Sequence, residues 1–229
     1  MAHSENAAQI ARMHESAKKI FFFGDHQSGK SSIVQKLMGH QDATSQSKYE
    51  ESFWKVYLVE QQPHIINIID TGSLCSPLAM QRFGSAVDCA FVLVYACDNE
   101  RSFKTVERVQ AQIRSLRCAN SVPPMIIVCN KTDSLSNKNP QLPRLVVTQE
   151  LAVKTEWGVD FVHVSARTGY GVCELAWILL QRVFNTQLDF DGLCAENSPD
   201  VSNWKKIWNF LTCQSSTPLP LLTPLAGFE

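Results

Sequence analysis

The sequence predicts an α/β protein built on a six-stranded, mostly parallel sheet, with one antiparallel edge strand and helices on both faces. Three observations carry this. Apolar strand candidates recur along the chain with helical patterns between most of them. Runs that are nearly all apolar, such as Phe91-Val92-Leu93-Val94 and Met125-Ile126-Ile127-Val128, suit strands covered on both faces, as parallel strands are. Only Glu60-Gln61-Gln62-Pro63 separates two of the candidates, which makes that pair an antiparallel hairpin.

The elements follow in chain order. Residues 1–18 are largely polar and, with Ala8, Ile10, Ala11 and Met13, read as a flexible extension with a frayed helix. A strand at 19–23 leads into a glycine-bounded loop, and the unbroken stretch 32–38 continues as a helix. Strands at 53–59 and 64–69 form the hairpin, and a further strand spans 89–96. Residues 102–116 follow as a helix with Ser102 as its cap and Val106, Val109, Ile113 and Leu116 on one side. Strands at 125–129 and 161–164 complete the sheet. Val172, Leu175, Ala176, Leu179, Leu180 and Val183 then repeat at helical spacing, so this helix lays an apolar face on the sheet. From Asn185 the chain turns rich in Pro, Ser, Asn and Thr, which places a boundary there: a core domain at 19–185 and a tail at 186–229.

Composition narrows the function classes. With 229 residues, 45% of them hydrophobic, the chain can bury one substantial core. Lys+Arg at 21 against Asp+Glu at 22 leaves no basic excess, so nucleic acid is not an expected partner. No run approaches the roughly 20 apolar residues of a membrane span, and residues 1–19 lack a secretory core, so a cytoplasmic monomer is expected. The eight cysteines form no Cys-x-x-Cys pair, which disfavours zinc. Cys89, Cys97, Cys129 and Cys173 lie in core-like runs and are expected to be small buried thiols.

The loop after the first strand reads Gly24-Asp25-His26-Gln27-Ser28-Gly29-Lys30-Ser31, with Ser32 next. Glycines at both ends let consecutive backbone N–H groups turn toward phosphate oxygens, while Lys30 and Ser31 reach the terminal phosphates and a magnesium ion. The helix that opens here favours a bound anion at its N-terminus. A Gly-rich turn without a ligand is the bland alternative, and the remaining motifs weigh against it. Asp70 closes its strand where an acidic side chain can lean over the sheet's carboxyl edge toward a phosphate-bound magnesium; capping the next turn is its alternative role. Asn130-Lys131-Thr132-Asp133 and Ser165-Ala166-Arg167 follow the last two strands. A carboxylate at Asp133 can accept from both N1–H and the 2-amino group of guanine, a donor pair adenine lacks, so the base is expected to be guanine. Lys131 is expected to lie along the purine plane, Asn130 to tie the loops together and the Ala166 N–H to meet the guanine carbonyl.

The ordered set Gly24-x4-Gly29-Lys30-Ser31, Asp70-Thr71, Asn130-Lys131-x-Asp133 and Ser165-Ala166 resembles the Ras superfamily of small GTPases over residues 19–184. The resemblance implies the P-loop small GTPase fold, GTP/GDP and Mg2+ as ligands, with Ser31 and Asp70 at the metal, and protein effectors or regulators as partners. An ATP-using metabolic kinase is disfavoured, since it has no use for the Asn130 to Asp133 motif.

Three departures stand out against that family. Where it usually continues Thr-Ala-Gly-Gln, this chain has Thr71-Gly72-Ser73-Leu74, and a leucine cannot orient an attacking water. An ungapped alignment puts Lys48 where the family supplies a magnesium-binding Thr; Thr44, Ser45 or Ser47 serves only if the loop shifts. His26 and Gln27 replace small residues and can crowd an inserted arginine finger. The losses fall on hydrolysis and on sensing the third phosphate. They are similar to those of the Rad, Gem and Rem group, although the Trp-Glu signature of that group is absent. No catalytic residue is assigned, and the resemblance implies at most a slow GTPase acting as a signalling protein. The alternative is a hydrolysis-deficient scaffold that acts mainly through its tail.

In the tail, Trp204, Ile207, Trp208 and Leu211 share one helical face beside Lys205-Lys206, a pattern that suits a partner groove, the inner face of the plasma membrane or packing on the domain itself. Two lysines are few for a membrane patch, which usually needs about four or more. The ending Leu225-Ala226-Gly227-Phe228-Glu229 carries no prenylation cysteine, so prenylation is not expected.

Overall fold

The structure is a computed structural model that describes residues 17–39, 50–59, 62–72, 88–117, 123–135 and 141–185. Six strands form one sheet: β1 (Lys18–Gly24), β2 (Glu51–Val59), β3 (Gln62–Asp70), β4 (Cys89–Ala96), β5 (Met125–Asn130) and β6 (Asp160–His163). Their order across the sheet is β2-β3-β1-β4-β5-β6. Only the β2/β3 pair is antiparallel, and β2 lies at the edge, as the short connection between them dictates. The hairpin is tighter than expected. Its ladder runs from Val59↔Gln62 and takes Pro63 into β3 opposite Leu58. Pro63 precedes the first residue of β3 that pairs with β1, Ile66, so no central ladder bond is lost.

Among the described residues, four α-helices cover the sheet: α1 (Lys30–Leu37), α2 (Glu100–Ser115), α3 (Leu142–Ala152) and α4 (Val172–Phe184). Alternation along each strand splits the core into two layers. Ile20, Phe22, Val92, Val94, Ile126 and Val128 face α1 and α4 through Ile33, Leu37, Leu175 and Leu179. Phe21, Phe23, Phe91, Leu93, Ile127 and Cys129 face α2 and α3 through Val106, Ile113 and Val146. In the second layer the Phe21 and Phe91 rings stack at 5.6 Å, with Phe23 at 6.0 Å from Phe91. Each such side chain contributes about 1.5–3 kcal/mol on burial, so β1 and β4 anchor the sheet's centre.

Two expectations need correction. The second helix begins at Glu100, and its cap is Asn99, whose side chain accepts from Arg101 N at 3.1 Å. Ser102 lies inside the first turn and turns its hydroxyl back to Ala96 and Asn99 instead. Cys173 is half-buried, whereas Cys89, Cys97 and Cys129 are buried free thiols. The helix α3 had no expectation attached to it: its apolar residues lack a clean stripe, and Val147 and Leu151 point to solvent. Of the expected extension, Ala17 is buried and Lys18 already belongs to β1, because the strand pairs from Lys18 onward; residues 1–16, the 186–229 tail with Trp204 to Leu211, Lys48 with its neighbouring Ser and Thr residues, and Ser73-Leu74 lie outside the described residues. Among the described residues no helix is long and apolar enough to cross a membrane.

Candidate nucleotide site

Parallel pairing carries β1, β3, β5 and β6 to a common carboxyl edge, and every motif with ligand chemistry sits at one of these strand ends. At the end of β1, Gly24 passes so close to β4 that a Cβ there would lie 2.1 Å from the Val94 carbonyl oxygen. Gly29 caps α1 in the left-handed region, φ 89°, where a Cβ would meet Asn130 Nδ2 at 2.1 Å. No side chain caps this helix, so amides of its first turn are available to an anion.

Lys30, the first residue of α1, is only 5% exposed. Its ammonium donates to Gly24 O at 3.0 Å and to Asp25 O at 2.8 Å, so it lies across the loop and has carbonyl partners for a buried charge. Ser31 and Ser32 are half-buried beside it, and His26 and Gln27 are exposed at the loop's crest, Gln27 in the left-handed region at φ 60°. Asp25 Oδ1 accepts from His26 N at 2.7 Å. On the neighbouring strand Asp70 is 2% exposed and accepts from Gly72 N at 3.3 Å, while Thr71 ties back to Phe22 O through its hydroxyl at 2.8 Å.

The base loops meet at Asn130. Its Nδ2 donates to Ser28 O at 2.8 Å and its Oδ1 accepts from Ala166 N at 3.1 Å, so one buried amide joins the phosphate loop to the loop after β6. The Ala166 N–H, expected to face the base, is engaged with Asn130. Asp133 is held by Ser165, whose hydroxyl donates to Oδ1 at 2.7 Å and accepts from Thr168 N at 3.2 Å. Arg167 reaches Asp133 Oδ2 only at 4.0 Å and is largely exposed. Lys131 adopts φ 64°, and its ammonium lies 3.4 Å from Asp98. Cys97 and Asp98, which touch this loop from β4, were missed; their position just beyond a strand end on the same edge was the available signal.

Among the described residues no three His, Cys, Asp or Glu side chains gather into a metal site. A magnesium ion here would be held by the Ser31 hydroxyl, in the first turn of α1, and the Asp70 carboxylate, at the end of β3, hard oxygen donors, with phosphate oxygens supplying much of its shell. The residues present fit that arrangement.

Arranged along one sheet edge are a phosphate loop on β1, an acidic side chain on β3 and paired base loops on β5 and β6. The family model described as Ras family matches residues 19–185. That span exceeds half the chain and contains all of these elements, and the chain belongs to the Ras family of small GTP-binding proteins.

Proposed function

We propose that this protein is a guanine-nucleotide-binding regulator of the Ras type that holds GDP or GTP with magnesium, cleaves GTP slowly and acts through protein effectors or regulators. The observation that carries this reading is the contrast between a fully braced holding site and eroded hydrolysis positions. Asn130 and Ser165 commit their side chains to keeping the phosphate and base loops in register. By contrast, Leu74 stands where a water-orienting side chain is needed and Ser73 where the third phosphate is sensed.

Each residue then has a defined task. Lys30, already donating to two loop carbonyls, is placed to shift its hydrogen bonds to phosphate oxygens at little cost in reorganisation. Asp133, with one oxygen fixed by Ser165, presents its carboxylate to N1–H and the 2-amino group of guanine. The bound magnesium supplies charge neutralisation at the phosphates. No residue of this chain is assigned to activate water, and hydrolysis is therefore slow.

The test is mass spectrometry of nucleotide released from the purified full chain, followed by single-turnover hydrolysis. Near one equivalent of guanine nucleotide is expected, with a rate no faster than about 10⁻⁴ per second. An empty protein, or one holding adenine nucleotide, sinks the binding reading; rapid multiple turnover without a partner sinks the slow-hydrolysis part.

A further inference from the structure

Two apolar side chains of α3 stand in solvent side by side. Val147 is 63% exposed and Leu151 62%, one helical turn apart and on the side of α3 opposite the buried Val146 and Gln149. Among the described residues they are the only large exposed apolar pair on one element. Cations flank the pair. Arg144, three residues before Val147, and Lys154, three residues after Leu151, are both exposed, and Lys154 also pairs with Glu150 at 2.6 Å.

The chain that follows α4 leaves beside this strip. Arg182, in the last turn of α4, donates to Asp160 at the start of β6 through two bonds of 2.6 and 2.8 Å. The strand β6 lies at the sheet edge and is joined to α3 by the π-helical turn Val153–Trp157, so α3 and α4 both end beside the start of that strand. Residues 186–203 then separate α4 from the stripe Trp204, Ile207, Trp208 and Leu211. Fully extended, a segment of that length reaches about 60 Å, whereas the whole of α3 is about 16 Å long. Tethering of this kind gives the stripe a millimolar effective concentration at α3.

Charge decides between occupants of the strip. Residues 186–203 hold Asp189, Asp191, Glu196 and Asp200 and no lysine or arginine. These four carboxylates complement Arg144 and Lys154, and they outnumber Lys205-Lys206, which works against an anionic membrane as the partner of the stripe. A second copy laying its own strip antiparallel on this one would set Arg144 against Lys154, a like-charge contact.

We propose that residues 204–211 of this same chain dock as a helix on the outer side of α3, setting their apolar stripe over Val147 and Leu151 and the acidic stretch before them against Arg144 and Lys154. Apolar anchors at i, i+3, i+4 and i+7 are how an amphipathic helix is read by an apolar surface, and two indoles supply most of the area buried. The tryptophan face is thereby covered by the protein's own domain and is closed to other partners while docked. Neither Val147 nor Leu151 belongs to the nucleotide motifs, so this contact does not depend on the guanine-nucleotide reading.

The experiment is hydrogen exchange on the purified full chain without lipid, wild type against Val147→Asp and Leu151→Asp. Amides of residues 204–211 are expected to exchange at least about tenfold more slowly than an unstructured reference peptide in the wild type, equally so on dilution, and at the reference rate in Leu151→Asp. Hydroxyl-radical labelling of Val147 and Leu151 is expected to rise in the double variant Trp204→Ala, Trp208→Ala, which leaves α3 untouched and keeps the question open to refutation if an α3 variant fails to fold. Exchange of 204–211 at the reference rate in the wild type overturns the proposal, as does protection that survives both α3 variants. Protection lost on dilution would assign the strip to a second copy, and protection that appears only with anionic phospholipid vesicles would assign the stripe to a membrane; either result also overturns it.

Discussion

Asn130 Nδ2 donates to the carbonyl oxygen of Ser28 at 2.8 Å, across a separation of 102 residues. Its other side-chain atom accepts from Ala166 N. Three segments from β1, β5 and β6 therefore share one buried amide, and the nucleotide site depends on it mechanically. Asn130→Ala leaves a carbonyl and an N–H buried without partners, at a cost of about 1–3 kcal/mol. A lower thermal midpoint, together with GDP release faster by tenfold or more, on the order of 1.4 kcal/mol, is the expected pair of results. A variant that loses neither stability nor retention refutes the brace.

Ser165 holds Asp133, the carboxylate proposed to meet the base. Its hydroxyl fixes one carboxylate oxygen and also accepts the Thr168 amide. Ser165→Ala is expected to weaken GDP by about tenfold, the worth of a hydrogen bond to a charged group, and to leave inorganic pyrophosphate binding unchanged. Asp133→Ala is expected to abolish the preference for guanine over adenine nucleotide. Competition titrations with a fluorescent GDP analogue measure all three quantities.

Gly24 tolerates no side chain. Its would-be Cβ falls 2.1 Å from the backbone oxygen of Val94, on the strand that pairs with it, and a strand backbone cannot retreat as a flexible side chain can. Gly24→Ala is expected to lower unfolding free energy by about 2 kcal/mol or more, seen as a fall in the urea midpoint even without nucleotide. An unchanged midpoint would refute the close approach of β1 to β4.

Lys55 makes stability depend on pH. Its ammonium donates to Leu37 O at 3.2 Å at the end of α1, yet burial lowers its pKa from 10.5 to about 7. Between those values the unfolded chain carries a proton that the folded chain lacks, so this residue's contribution to stability rises with pH across the window. Below about pH 7 both states are protonated and the desolvation penalty is felt in full. Lys55→Met is therefore expected to stabilise the protein at pH 6, on the order of 1 kcal/mol after allowance for a half-buried group, and to lose that advantage by pH 10. Denaturant melts of both proteins at the two pH values decide it, and an equal difference at each contradicts the assignment.

The positions of the strands along the chain were legible because each is a short apolar run whose neighbours in the chain are turns or helices. The hairpin was legible from the length of its connection. What escaped had local reasons. The helix α2 starts two residues before the expected Ser102 because the polar Glu100 and Arg101 form a first turn ahead of the apolar stripe, with Asn99 as its cap. The helix α3 escaped because only Val146 and Gln149 of its residues are buried, so its pattern carries little periodicity.

Residue type and spacing along the chain were enough to point to a phosphate loop and to base-binding motifs that resemble those of guanine-nucleotide proteins, since each is a property of consecutive residues. The Asn130 brace, the grip of Cys97 and Asp98 on Lys131 and the desolvated Lys55 belong to the folded chain alone. Apart from the Asp98–Lys131 pair, these contacts bury polar or thiol groups, and all of them join residues 18 to 102 positions apart. Such contacts exist only once strand register and the packing of α1 have brought those residues together, and neither is written in any local stretch of sequence.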